Sequence, residues 1–448
     1  MMARVGKAAV PAFLFLCLLA GGSSQGRLSN AALQLLAILL VAWSAWSPGK
    51  TSVNRPARLL LILAVCAVAL VVLQLVPLPP QLWSALPGRA PVREGYALMG
   101  IEPPWLPLSL SPHDTLATGY TLLPPLGVLA AMLAIRSYRE SWIGAAIVAG
   151  AVASVLLGAV QVGSGGRSEW AYLYPIRSPG AVGFFANRNH MATLLLAALP
   201  FAAALFATST PTAERRGKAF AMVALGIGGF GLAVAGLVIN SSLAALALAL
   251  PVTAFSLLIL PAGWRSRRLL VPLAAVGIVA ALIALGSSSV RSEIAGAPGL
   301  GSFHSREAMW AVTWKAVLSN MPFGTGAGTF ADVYALREDP GAVDVTFINH
   351  AHNDYLELLL EFGVPGLILM LGFLGWWGSR VLNVWRSPAS SQFARAATIA
   401  SGAVLAHSLV DFPLRTAAMA AVFAACLAMM AQRAERTRET QARHVRIA

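Results

Sequence analysis

The chain has 448 residues, 57% hydrophobic and 11% charged, with a net charge of +14 and a mean hydropathy of +0.71. A soluble domain carries roughly 25% charged residues, so a globule this apolar lacks the polar groups to cover its surface. The composition predicts a polytopic membrane protein, excludes a string of soluble domains, and makes length a count of membrane crossings.

A membrane span needs about 20 mostly apolar residues, within a range of roughly 17–25. The candidates in chain order are 8–22, 28–46, 59–78, 116–135, 142–162, 191–208, 219–239, 243–260, 269–286, 362–379, 396–412 and 415–431. The first also has the layout of a secretory leader, with Arg4 and Lys7 before a short apolar stretch and a small-residue exit. The fourth contains Pro124-Pro125 and is expected to be kinked or broken. The expected fold class is all-α: a polytopic membrane protein of about 12 transmembrane helices, with a large periplasmic loop between helices 9 and 10. Its regions are helices 1–9 over 1–286, the loop over 287–361, helices 10–12 over 362–431, and a basic cytoplasmic tail over 432–448. Cys17, Cys66 and Cys426 all fall in apolar runs and form no disulfide or metal framework.

With the N-terminus inside, the cytoplasmic segments hold 21 of the 32 Lys and Arg but only 4 of the 18 Asp and Glu. This is a positive-inside pattern. It accounts for the basic charge as topology, so no nucleic-acid partner is expected.

Within the large outer loop, residues 305–319 read as an amphipathic helix. Met309, Trp310, Val312, Trp314 and Val317 form its apolar face, suited to the membrane interface. The densest polar group follows: Asn349-His350-Ala351-His352-Asn353-Asp354-Tyr355, directly before the tenth span. An Asn or Asp N-cap explains part of this group but not two histidines. Metal binding would need three or four ligands, and only Asp354 or Glu357 stands near the His-x-His pair, so no metal or other cofactor is expected. Histidine is also the side chain suited to take a proton near neutral pH.

Arginines on the outer side run against the charge trend. Arg188 opens the sixth span beside His190, Arg306 opens the amphipathic helix, and Arg415 follows Asp411, its expected partner. Guanidinium groups pair bidentately with phosphate, so arginines beside a basic histidine suit a lipid-linked pyrophosphate. The run Gly324-Thr-Gly326-Ala-Gly328-Thr lacks the strand before it and the Walker lysine of a nucleotide loop. It reads instead as a bend where backbone approaches a ligand or a neighbouring helix. No Asp-x-Asp pair occurs.

Three stretches resemble the O-antigen ligase and polymerase superfamily of bacterial membrane glycosyltransferases. They are Phe185-Ala186-Asn187-Arg188-Asn189-His190; Arg306-x-x-x-Trp310 with Pro322 to Phe330; and His352-Asn353, nine residues, then Gly363-Val-Pro-Gly366. The resemblance covers the chain from about residue 180 onward; before that only hydropathy matches. It implies a multi-pass protein of the bacterial inner membrane with its active site facing the periplasm. The implied reaction moves a glycan from undecaprenyl pyrophosphate to an acceptor sugar, metal-independent and inverting. The acceptor is the lipid A-core in a ligase, or another lipid-linked repeat unit in a polymerase. The implied roles are general base for His352 and pyrophosphate binding for Arg188 and Arg306, with His350, Asn353, Asp354, Tyr355 and His190 in support. Twelve spans also fit a transporter, but the spans are almost free of charge, which favours chemistry at one membrane face.

Overall fold

The structure is a computed structural model that describes residues 2–24, 27–46, 53–134, 138–165, 169–174, 180–208, 216–240, 242–260, 303–342 and 347–432. The predicted ninth span (269–286) and the basic tail from residue 433 lie outside the described residues. The helices of the first half are α1 (Met2–Ala20), α2 (Leu28–Trp46), α3 (Arg55–Gln74), α4 (Pro80–Trp83), α5 (Ala90–Met99), α6 (Pro112–Thr121), α7 (Leu123–Ala134) and α8 (Glu140–Gly163). Those of the second half are α9 (Arg188–Thr208), α10 (Arg216–Asn240), α11 (Leu243–Leu257), α12 (Phe303–Asn320), α13 (Phe330–Ala335), α14 (Asp354–Arg386), α15 (Gln392–His407) and α16 (Ala417–Ala431). Two short strands, β1 (Pro77–Leu78) and β2 (Leu106–Pro107), pair antiparallel after α3, where the third predicted span was drawn as continuing to residue 78.

Six helical stretches among the described residues are long and apolar enough to cross a membrane: α2, α3, α6 with α7, α8, α9 and α14. Helices α11, α16, Lys7–Ala20 of α1 and Ile227–Asn240 of α10 are apolar but shorter. The chain is a multi-pass membrane protein. Helix α9 is its centre: every residue from His190 to Leu205 is buried, with α8, α10, α11 and α15 around it. A helix buried on all sides must be apolar on all sides, and this one is, save at His190 and Thr193. The alanine-rich α16 is likewise buried and packs closely on α1, α7 and α15. In α1, the segment with leader-like layout, Leu14, Cys17 and Leu18 are wholly buried in the same core. By contrast α2 and α3 expose Leu35, Leu39, Ile62 and Val65, a surface suited to lipid tails.

Two breaks, one expected and one not, have local causes. The fourth predicted span divides at Leu122, because Pro124 and Pro125 have no N–H to continue the ladder. The tenth is longer than drawn: at 1.5 Å per residue, the 33 residues of α14 reach about 50 Å, more than a hydrocarbon core of about 30 Å. Gly363, at φ 57° and ψ −142°, kinks it between residues 362 and 364.

The kink is held by the glycine run. Pro365 cannot donate to the Glu361 carbonyl, which instead accepts from Gly326 N at 3.0 Å and Gln74 Nε2 at 2.9 Å. Val364 N turns to Pro322 O at 2.8 Å, and the freed Leu360 carbonyl accepts from Thr325 N at 3.0 Å. A side chain at Gly363 would put its Cβ 2.2 Å from Pro322 O, so the backbones touch as the sequence predicts.

Helix α12 forms where expected, and Met309, Trp310, Val312 and Val317 pack as expected, but Trp314 does not. Met309, Thr313, Ala316 and Val317 are buried, while Trp314 is 48% exposed. That face packs on protein, in a second apolar cluster with Phe330, Val333, Tyr334, Ala351 and Leu360.

Candidate functional site

Four segments of the chain meet at one end of the bundle. They are the entry to α9, the loop 347–353, the first turns of α12 and α14, and the turn 408–416 that joins α15 to α16. At their meeting point lies Asp411, wholly buried and outside either flanking helix. Its carboxylate has His190 Nε2 at 3.4 Å, His352 Nδ1 at 3.5 Å and an Arg306 guanidinium nitrogen at 4.0 Å. Asn187 Nδ2 donates to it at 3.4 Å, Asn189 Nδ2 donates closely, and Phe412 N donates at 2.8 Å. Burial pushes the Asp411 carboxyl up, but His352 and His190 outweigh burial and hold it well below the usual carboxylate range. It is a fixed negative charge among donors and cations.

His352 combines two features. Its φ of 47° places it in the left-handed region, the one non-glycine there among the described residues. Such a residue is costly, and it persists where the surroundings over-determine it. Its side chain keeps 23% exposure while Nδ1 faces Asp411, so the ring joins a buried anion to open space. The Phe412 ring lies against three imidazoles at once, with centroids 4.8 Å from His190, 4.1 Å from His350 and 4.9 Å from His352. Trp310 Nε1 donates to Ala351 O at 2.8 Å, which ties α12 to the histidine loop.

A second charged group lies beside the first. Arg415 reaches both oxygens of Glu361, at 3.2 and 3.0 Å, and comes within 3.4 Å of Glu357 and 3.7 Å of Asp354. The expected Arg415–Asp411 pair does not form: the turn Pro413–Arg415 separates them, Asp411 facing α9 and Arg415 facing α14. Glu361 also accepts from Gly328 N at 2.8 Å, so the glycine run is bound into this cluster. Glu357 Oε1 lies 2.8 Å from His350 Nδ1, and its Oε2 accepts from Ala351 N at 2.9 Å. Burial lowers the His350 pKa, against the opposing pull of Glu357.

The residues singled out in the sequence thus divide. His190, Arg306 and His352 converge on Asp411. His350 belongs to the Glu357 side. Asn353 caps α14, its Oδ1 accepting from Tyr355 N and Leu356 N, both at 3.1 Å. Asp354 accepts from Ser408 Oγ at 2.8 Å, and Tyr355 donates to Leu405 O at 2.7 Å, so both fasten α14 to α15. Arg188 is the first residue of α9, and its carbonyl accepts from Asn240 Nδ2 at 2.8 Å. Sequence reasoning missed Asp411 as the centre, the side chains of Asn187 and Asn189 on it, and Glu361. Among the described residues, both ring nitrogens of His190, the Arg306 Nε and the His352 Nδ1 are buried without a hydrogen-bond partner. Orphaned buried donors of this kind call for a functional explanation.

The geometry can do two things. A histidine backed by a carboxylate accepts a proton at its far nitrogen, and a neighbouring arginine stabilises a developing anion. The family model described as O-antigen ligase matches residues 228–371, from within α10 through α12, the glycine run and the histidine loop into α14. Arg188, Asp411 and Arg415 lie outside the matched segment. No curated protein matches the chain. Over residues 228–371, about a third of its length, the chain is similar to the O-antigen ligase family.

Proposed function

We propose that the chain transfers a glycan from undecaprenyl pyrophosphate to an acceptor sugar of lipid A-core. The reaction is inverting, needs no metal, and takes place at the periplasmic face of the bacterial inner membrane. The observation that carries this reading is His352, partly exposed and with its Nδ1 3.5 Å from the buried Asp411 carboxylate. With Nδ1–H held toward the carboxylate, Nε2 is left to accept the proton of the acceptor hydroxyl. The hydroxyl oxygen bonds to the anomeric carbon as the bond from that carbon to the pyrophosphate oxygen breaks, and that oxygen leaves with the electron pair. Arg306, beside Asp411, and Arg188, between Asn187 and Asn189, stabilise the departing charge. The proton on His352 then passes to water.

The test is transfer in vitro from an undecaprenyl-pyrophosphate glycan by purified protein, with lipid A-core offered in one reaction and donor alone in another. Growth of product only with lipid A-core supports the ligase reading. Growth with donor alone makes the chain a polymerase, and full transfer by folded His352→Ala sinks the base assignment.

A further inference from the structure

The segment that leaves α1 is built into the site. Gly21 O accepts from Ala418 N at 3.0 Å, and Gly22 pairs as a parallel bridge with Phe185 and accepts from Ala186 N at 3.0 Å. The approach admits no side chain, because a Cβ on Gly22 would lie 2.0 Å from Phe184 O. Asn30 Nδ2 donates to Ser23 O at 3.2 Å, and Tyr174 donates to Ala20 O at 3.2 Å. So residues 20–24 run between the entry to α9 and the start of α16, and they are fixed on both sides.

This course brings Ser24 Oγ to 3.1 Å from His350 Nε2. The other ring nitrogen, Nδ1, is 2.8 Å from the Glu357 carboxylate. An ionised carboxylate only accepts, so the ring proton sits on Nδ1, Nε2 carries the lone pair, and the Ser24 hydroxyl donates to it. Both nitrogens of His350 are then occupied, which removes it as a base and leaves His352 as the free one of the pair. The ring so fixed lies 4.1 Å from Phe412, and Phe412 meets His352 from the other side.

We infer that Ser24 is a positioning residue: its hydroxyl locks His350 as the Nδ1–H tautomer, and the locked ring braces Phe412 and, through it, His352. The groups facing His350 are Ser24 from the exit of α1, Glu357 of α14, Arg415 and Phe412 of the 408–416 turn, and His352 of its own loop. The proposal rests on the reading of His352 as the base, but its first readout does not. Nitrogen-15 ring shifts of His350, assigned by their loss in His350→Gln, report the tautomer in the full-length protein without any substrate. In the wild type they show Nδ1–H with a hydrogen-bonded Nε2; in Ser24→Ala the Nε2 shift moves to that of a nitrogen without its donor, and in Ser24→Thr it returns. In transfer assays Ser24→Ala lowers kcat about threefold to tenfold, the scale of one lost hydrogen bond, with the donor KM within twofold, and Ser24→Thr restores it. Unchanged ring shifts in Ser24→Ala overturn the proposal, and so do moved shifts with an unchanged kcat. A wild type that transfers nothing defeats the functional reading, and the ring shifts alone then judge the Ser24 contact.

Discussion

Replacing Asp411 by Asn isolates the charge at the centre of the site. The amide keeps the shape of the carboxylate and one acceptor oxygen, so Phe412 N at Oδ1 retains its partner while Asn189 at Oδ2 loses one, and the negative charge beside His352 is gone. Two unit charges at the observed 3.5 Å attract by about 4.7 kcal/mol at an effective dielectric of about 20. In the transition state the imidazole has gained roughly half of its charge, so Asp411 supplies about 2.4 kcal/mol, or about 60-fold in rate. The Asp411→Asn protein is therefore expected to lose about 60-fold in kcat, with the donor KM changed much less, because the imidazolium forms only as the acceptor is deprotonated. The assay is initial-rate transfer by detergent-purified protein that elutes as the wild type does in gel filtration. A kcat within threefold of wild type would refute the reasoning, since the carboxylate would then hold His190 and the asparagines without acting on His352.

Arg415→Met removes the cation that grips both oxygens of Glu361, and removing one partner from a buried cluster costs about 3–5 kcal/mol; the yield of folded protein and its melting temperature are expected to fall sharply. Gly363→Ala places a Cβ against Pro322 O at a φ of 57°, and is expected to destabilise by about 2 kcal/mol or more, read as a lower melting temperature. His350 is pushed down by burial, so below the ordinary histidine pKa of about 6.5 the unfolded chain binds the proton more readily and stability falls as pH falls. The loss of melting temperature between about pH 7.5 and about pH 5.5, a range that spans the ordinary histidine pKa, is thus expected to be smaller in His350→Gln than in wild type; an equal loss removes His350 as its source.

The membrane helices were legible because a span announces itself as an apolar run, and the division at Leu122 because proline lacks a donor. The histidine motif and Arg306 were legible by type: they are polar groups where lipid-facing sequence has no use for them. Asp411 was visible but misassigned. Sequence proximity offered Arg415 as its partner, while its real neighbours stand more than 200 residues earlier, at Asn187, Asn189 and His190. Glu361 was hidden for the same reason, as its partners come from the glycine run and from beyond α15. On α12 the period and most of the face were right, and Trp314 was misassigned. Small Thr313 and Ala316 fill the close contact and leave Trp314 outside, a choice set by the packing partner rather than by hydrophobicity.

The join between the glycine run and the kinked helix sets a rule for chain length. Thr325 and Gly326 pair one for one with Leu360 and Glu361, and Gly328 takes the next step to the Glu361 carboxylate. Adding or deleting a single residue between 321 and 329 would slide this register, strand two buried carbonyls, and draw Glu361 off Arg415. Relatives that keep the same kink should therefore hold this spacing constant, and grafts that exchange the large loop should be cut outside it, with the glycine run and the first two turns of α14 moved as one piece.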